Sequence, residues 1–366
     1  MNIVVKGAYG TRNFGDDLLM LTMFNLLENI NCDADFLCPD HNYIKKLNPD
    51  IKINANNSNK NYDVCIYGGG TQFFHFKSNK FGLANILSKV AGNLINPRRM
   101  YNTLTRRLSK EVSSKSVSYI GIGLGPFEDV TIKERVIKSL SKADFISLRD
   151  AKSIRYMEGY ADSINFGSDL CFCPEFEPYL QGVKRLGIQD KAKVGIVLRD
   201  WVNTEEGVIP EKVIMKVVEK LSEQGKDHIF IFFSSVHDKK WIKFCKSYSL
   251  KYIVWNPDEQ TILDFLNIIA CCDVIISSRF HGLVVSSLLS IPFVSLEIEP
   301  KLSIFSRKFS NFETVTYPFN HVDILQGIEK AKWLEENDNV VKGEKERARV
   351  MAGKFNKYLR SIVSES

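Results

Sequence analysis

The sequence predicts an α/β protein made of two doubly wound halves that face each other across a cleft. Three observations lead there. Its short apolar runs are apolar throughout rather than alternating, the pattern of parallel strands covered on both faces. Each run is followed by a longer amphipathic stretch, as strand-helix-strand layers require. The rhythm then occurs twice, interrupted by "CFCPEFEPYLQGVKRLGIQDKAK" (171–193), where prolines, glycines and charges show little periodicity.

In chain order, the first half offers strands at 2–6 ("NIVVK"), 33–37, 63–68 ("DVCIYG"), 116–123 ("SVSYIGIG") and 144–148 ("DFISL"). Helical stretches fall near 16–29, 80–95, 131–142 and 150–158. The second half repeats the scheme with strands at 193–199 ("KVGIVLR"), 228–234, 251–255, 273–277 ("DVIIS") and 292–298 ("PFVSLEI"). Its helices are expected near 210–223, 237–247, 258–270, 281–290 and 320–335, and 341–363 reads as one charged helix. The expected division is therefore 1–180, 181–340 and a terminal helix over 341–366.

The length of 366 residues suits two domains of roughly 150–200 residues each. With 44% hydrophobic and 25% charged residues, the composition is that of a globular protein with a full core. The opening "MNIVVKGAYG" lacks the basic region and apolar run of a signal peptide. No apolar stretch approaches the ~20 residues of a membrane span. Those readings, with eight cysteines and no C-x-x-C pair, lead us to expect a cytoplasmic protein with core thiols and no metal site. The net charge of +6 is local. Lys89, Arg98, Arg99, Arg106, Arg107, Lys110 and Lys115 face only Glu111 between 89 and 115, which accounts for the whole excess.

Ligands of doubly wound sheets bind beyond the carboxyl ends of the strands, so those ends carry the candidates. The first strand runs into "GAYGTRNFGDDLL", where Gly7, Gly10 and Gly15 allow a tight turn but do not make G-x-G-x-x-G. Of Asp16 and Asp17, one is expected to cap the following helix and the other to serve as a hydroxyl ligand or base. The third strand ends in "YGGGTQFF". Gly68, Gly69 and Gly70, with Thr71 beside them, offer backbone amides to a ligand, allow a close inter-domain contact or make a tight turn. Arg199 in "VLRDW" reaches the cleft or pairs with Asp200. "SLRDAKS" repeats that pattern, but a helix follows at once, so Arg149 and Asp150 read as structural.

"SRFHGL" (278–283) follows a buried strand and opens a helix of small and apolar residues. Arg279 beside the free N–H groups of that helix suits a phosphate or carboxylate. His281 is suited to moving a proton near neutral pH, or is a satisfied structural histidine.

Taken in order, "GAYGTRNFGDD", "DVCIYGGGTQFF", "IVLRDW" and "SSRFHGLVVSSLLSIPFVSL" resemble the polysaccharide pyruvyltransferase family over most of the chain. Phe280 stands where that family usually has leucine, and Asp17 where its opening motif often has glutamate. The resemblance implies two facing Rossmann-like halves like those of GT-B glycosyltransferases, with the acceptor side in the first and the donor side in the second. It implies transfer of the pyruvyl group of phosphoenolpyruvate onto two hydroxyls of one sugar as a cyclic ketal, in surface polysaccharide (capsule or exopolysaccharide) biosynthesis. Arg199 and Arg279 then look like donor-binding residues and His281 like the key histidine. Asp16 and Asp17 are the further catalytic candidates. Phe280, Gly15, Gly68, Gly69, Gly70 and Thr71 are expected at the substrate. No cofactor is expected. The chemistry fits the residues, since the donor carries a phosphate and a carboxylate for two arginines.

Residues 98–112, "RRMYNTLTRRLSKEV", read as a basic amphipathic helix with Met100, Leu104 and Leu108 on one stripe. It is either a solvated helix or a contact with an anionic membrane surface or a diphosphate-linked glycan. No nucleic-acid module accompanies it. The alternatives to pyruvyl transfer are a GT-B-like nucleotide-sugar glycosyltransferase and a non-catalytic glycan-binding protein.

Overall fold

The computed structural model describes residues 1–38, 40–54, 60–75, 112–161, 163–184 and 193–364. Its strands are β1 (Ile3–Lys6), β2 (Ala34–Leu37), β3 (Lys52–Asn54), β4 (Tyr62–Gly68), β5 (Thr71–His75), β6 (Ser114–Phe127), β7 (Phe145–Leu148), β8 (Asn165–Phe166), β9 (Lys193–Val197), β10 (Asp227–Phe232), β11 (Tyr252–Val254), β12 (Val274–Ser277), β13 (Phe293–Leu296) and β14 (Thr314–Val315). The described helices are α1 (Phe14–Glu28), α2 (His41–Leu47), α3 (Val130–Leu140), α4 (Ala151–Met157), α5 (Glu177–Gln181), α6 (Glu211–Glu223), α7 (Lys239–Ser247), α8 (Ile262–Ala270), α9 (Phe280–Leu288), α10 (Pro300–Ser306), α11 (His321–Lys330) and α12 (Glu335–Ser364). All ten expected strands form. The elements the sequence does not announce are mostly short: β3, β5, β8, β14, α2, α5 and α10 run two to seven residues, too few to display a period. The expected helix near 80–95 and the basic segment 98–111 lie outside the described residues.

Both sheets are parallel throughout. The first is ordered β3-β2-β1-β4-β6-β7-β8, with β5 pairing the far part of β6; the second is β11-β10-β9-β12-β13-β14. In each, the order reverses beside its first strand, between β1 and β4 and between β9 and β12. Each half is thus Rossmann-like, and each has a crevice at the carboxyl end of that junction. The apolar runs explain why these strands are central: Val274, Ile275, Ile276 and Ser277 are all buried, as are all four residues of β13.

α1 locks the halves together. Most of its surface is covered, on several faces, so it behaves as a core helix rather than an amphipathic surface one. At its start, the Phe14 amide donates to the carbonyl of Phe233 at 2.9 Å. The Phe14 ring meets Phe233, Trp255 and Phe265 at 5.1, 5.1 and 4.6 Å, and burying it stabilises the junction by roughly 1.5–3 kcal/mol. α12 begins six residues before the expected 341 and returns to the first sheet. Phe355 and Tyr358 pack on Phe145 at 5.2 and 5.4 Å. Its buried Glu344 accepts from Ser168 and Lys308, each at 2.5 Å, joining one half to the other. Among the described residues no helix is long and apolar enough to cross a membrane.

Candidate active site

The β9–β12 junction places two arginines side by side. Arg199 lies two residues beyond β9 and Arg279 two beyond β12. Ser278 ties the turns together: its hydroxyl accepts from the Arg199 amide at 2.7 Å and donates to the Arg199 carbonyl at 2.8 Å. Ser277 holds the Arg279 backbone in the same way, at 3.0 and 2.9 Å. The Arg279 side chain is buried. It pairs with the fully buried Asp238 and donates to Asn13 Oδ1 at 3.4 Å, while its Nε has no partner. Asp200 does not pair with Arg199. It takes Lys240 at 2.6 Å and Trp241 Nε1 at 3.1 Å instead. The Arg199 guanidinium therefore rests over the Trp201 ring at 5.1 Å with no hydrogen bond or ion pair among the described residues. Burial and the neighbouring Arg279 depress its pKa, so this cation is short of an anion.

His281 is the second residue of α9, a helix whose N-terminus no side chain caps. Its ring lies against the Cα of Gly15, so that any β-carbon there would overlap Nδ1. Gly15 thus makes room for the histidine. His281 Nε2 is buried without a hydrogen bond, 3.9 Å from Asp169 Oδ2. Burial, reinforced by Arg149, Lys301 and Arg279 against Asp169, lowers its pKa to about 4. The imidazole is neutral at neutral pH.

The sequence underrates two cations here. Arg149 donates to Asp169 at 2.7 Å and to Thr71 Oγ1 at 2.8 Å, and lies over the Phe280 ring at 4.3 Å. Its neighbour Asp150 does cap α4, accepting from the Ser153 amide at 2.8 Å. The "LRD" shared with Arg199 was the available signal, and the cap does not exclude the arginine from the cluster. Lys301, in the first turn of α10, lies 3.0 Å from Glu299 Oε1 with its pKa lowered by burial. Its position just past β13 is the only hint the sequence holds. Phe280 packs edge-on against His281 and Phe305, so it braces both Arg149 and the imidazole.

The two aspartates of α1 separate. Neither caps the helix, whose N-cap position is Asn13. Asp16 faces the cations: it accepts from Asn13 Nδ2 at 2.5 Å, its pKa is raised by burial, and Arg199, Arg279 and Lys301 oppose that rise. Asp17 is fully buried away from them, accepting from Tyr43 at 3.0 Å and Trp255 Nε1 at 2.8 Å. Burial outweighs these bonds and lifts its pKa to about 8. Its expected catalytic role is corrected to a latch between the halves. The glycine triplet is also corrected. All three are buried, Gly69 and Gly70 adopt φ of +62° and +75°, and the Gly69 amide is spent on the Ile120 carbonyl at 2.9 Å. They form the turn between β4 and β5, and Thr71 serves by positioning Arg149.

Three cations of the cluster are paired: Arg149 with Asp169, Arg279 with Asp238, Lys301 with Glu299. Among the described residues, Arg199 is the cation of the cluster left without a partner. Asp169, Cys171 and His281 also bring three donor atoms within 4.8 Å, a grouping that spacing along the chain does not reveal. Asp169 is ionised but held by Arg149, burial keeps the Cys171 thiol protonated, and Arg149 and Lys301 stand by, so the field there favours an anion over a metal cation.

A family model described as polysaccharide pyruvyl transferase matches residues 13–300. No curated protein sequence matches the chain. Among solved structures it is similar to S. aureus MnaA, determined with UDP, at 12% identity and a TM-score of 0.57, covering 99% of this chain and 96% of that one. The UDP-GlcNAc 2-epimerase of Methanocaldococcus jannaschii gives 13% identity and 0.56, covering 94% and 98%. A glycosyltransferase from Rickettsia africae gives 13% and 0.55, covering 100% and 99%. At such identities the likeness is one of fold, two Rossmann-like halves in the GT-B arrangement.

Proposed function

The chain belongs to the polysaccharide pyruvyl transferase family, and from that premise we propose that it moves the pyruvyl group of phosphoenolpyruvate onto two hydroxyls of one sugar as a cyclic ketal. The observation that carries this reading is Arg199, a largely desolvated guanidinium with no anion of its own among the described residues, beside Arg279 and an uncapped helix N-terminus. A donor with a phosphate and a carboxylate completes that set. Asp16 faces the same space from the other half and orients an acceptor hydroxyl.

In the proposed reaction the neutral His281 takes a proton from the first sugar hydroxyl, Asp169 at 3.9 Å steadying the imidazolium. That proton passes to the donor's methylene carbon, which becomes the methyl group. The first hydroxyl oxygen bonds to the carbon that still carries the phosphate. The phosphate then leaves with the electron pair of its C–O bond. The second hydroxyl closes the ketal, and its proton leaves with inorganic phosphate. The acceptor belongs to a polysaccharide under assembly, carried on a lipid or nucleotide diphosphate, in a cytoplasmic setting that includes peripheral membrane contact through 98–112.

The test is phosphate release from phosphoenolpyruvate by the purified protein with candidate acceptor glycans. Release that requires the sugar, and falls by about 10²–10⁴ in His281→Ala, supports the proposal; turnover unchanged in that variant refutes the role of His281. Fold alone does not separate this reading from nucleotide-sugar glycosyl transfer. Thermal stabilisation by phosphoenolpyruvate decides for pyruvyl transfer; stabilisation by nucleotide sugars with none by phosphoenolpyruvate decides for glycosyl transfer.

A further inference from the structure

A groove of about 660 Å³ opens between α7, β11 and the segments that follow β10 and β11, and Arg12 of the first half also lines it. One wall carries Lys239, Lys243 and Lys246. Their i, i+4, i+7 spacing puts them on a single face of α7. None has an ion pair or hydrogen bond among the described residues, and no acidic side chain lines the groove. Lys240, on another face of the same helix, is by contrast committed to Asp200 and the Ile209 carbonyl. Arg12 is balanced by Asp40 and Asp258, and Asp258 by Arg12 and Lys46, so neither offsets the lysines. Three like charges on one helical face repel one another, and what relieves them is a bound anion.

The opposite wall supplies the half-buried Tyr252, with Ser235 and Asn256 as neutral polar groups. The lysine row runs about 10 Å along the helix at 1.5 Å per residue, longer than one phosphate and matched by two in series. Ser235 lines the groove two residues before His237, whose pKa is lowered by desolvation and by the charges of Arg199 and Arg279.

We infer that this groove binds a diphosphate: the linkage by which a nucleoside or a lipid carrier holds a sugar. Identifying that ligand as the acceptor rests on the pyruvyl-transfer reading; the anion site does not. Calorimetric titration of the full chain with inorganic pyrophosphate, UDP and a polyprenyl diphosphate in detergent tests it, with phosphoenolpyruvate present throughout. Pyrophosphate should bind, with affinity falling as salt rises, and the triple variant Lys239→Gln, Lys243→Gln, Lys246→Gln should lose about tenfold or more. Lys243→Glu alone should lose affinity too, which covers a poorly folded triple variant. UDP tighter than pyrophosphate identifies the nucleoside source; tighter polyprenyl diphosphate, the lipid one. No pyrophosphate binding at low salt, or binding equal in wild type and variants, overturns the inference. Phosphoenolpyruvate is titrated separately, and its failure to bind refutes pyruvyl transfer while leaving the groove standing.

Discussion

Arg199 is held desolvated and, among the described residues, unpaired, so its charge opposes folding until an anion arrives. Arg199→Gln is therefore expected to raise the melting temperature of the free protein and to abolish stabilisation by phosphoenolpyruvate. Thermal shift with and without donor checks both; a variant less stable than wild type contradicts the argument. Gly15 and His281 act as one unit, because the ring occupies the space a β-carbon would need. Gly15→Ala should lower turnover by about 10²–10⁴ and cost about 1–3 kcal/mol of stability, because the buried ring must be displaced. His281→Ala added to it should cost nothing further, a non-additivity that only a shared role produces. "SRFHGL" announces an arginine and a histidine at a strand end, but not that Arg279 is already neutralised by Asp238 or that the imidazole is neutral. Both facts depend on which groups the fold brings up from far along the chain.

At the level of elements, α12 supplies a face that the first sheet lacks. Phe355 and Leu359 are fully buried although they lie in a strongly charged helix, and Met351 packs where Gly167 has no side chain. Phe355→Ala should destabilise the protein by about 3–5 kcal/mol, read as a lower urea midpoint at unchanged slope. A loss confined to the helix's own signal would mean that α12 is not part of the cooperative unit. The central strands were legible because each needs apolar residues on both faces. Edge strands differ: β11 was legible from its apolar run "KYIVW", whereas β3 and β14 were not, because two or three residues without such a run leave no pattern to read.

Across the whole molecule, Asp17 and Phe14 bind the two halves. Asp17 normally titrates near 3.8 and is pushed to about 8 by burial, so between those values the folded protein holds a proton the unfolded chain has lost. Its contribution falls as pH rises through that window. His281 acts oppositely. Lowered from 6.5 to about 4, it leaves the unfolded chain holding the extra proton between those values, so stability rises with pH there. The two largely offset below 6.5, and the Asp17 loss stands alone from there to about 8. Asp17→Asn keeps both hydrogen bonds as the protonated acid does, its amide donating to Tyr43 and accepting from Trp255. The stability of that variant relative to wild type should therefore grow with pH from about 4 to about 8. Melting curves across that range check it, and a constant difference would show that Asp17 is ionised in the fold. What the sequence by itself determined was the doubly wound architecture and its strand ends, and it proposed Arg199, Arg279 and His281 at those ends. Periodic burial and short motifs are local properties, readable within a few residues. Only the tertiary structure decided that Arg149 and Lys301 join the cluster, that Asp16 faces it while Asp17 turns away, and that three glycines make a turn. A side chain's direction and partner are set by residues far along the chain, 238 positions apart for Asp17 and Trp255, and no local pattern records them.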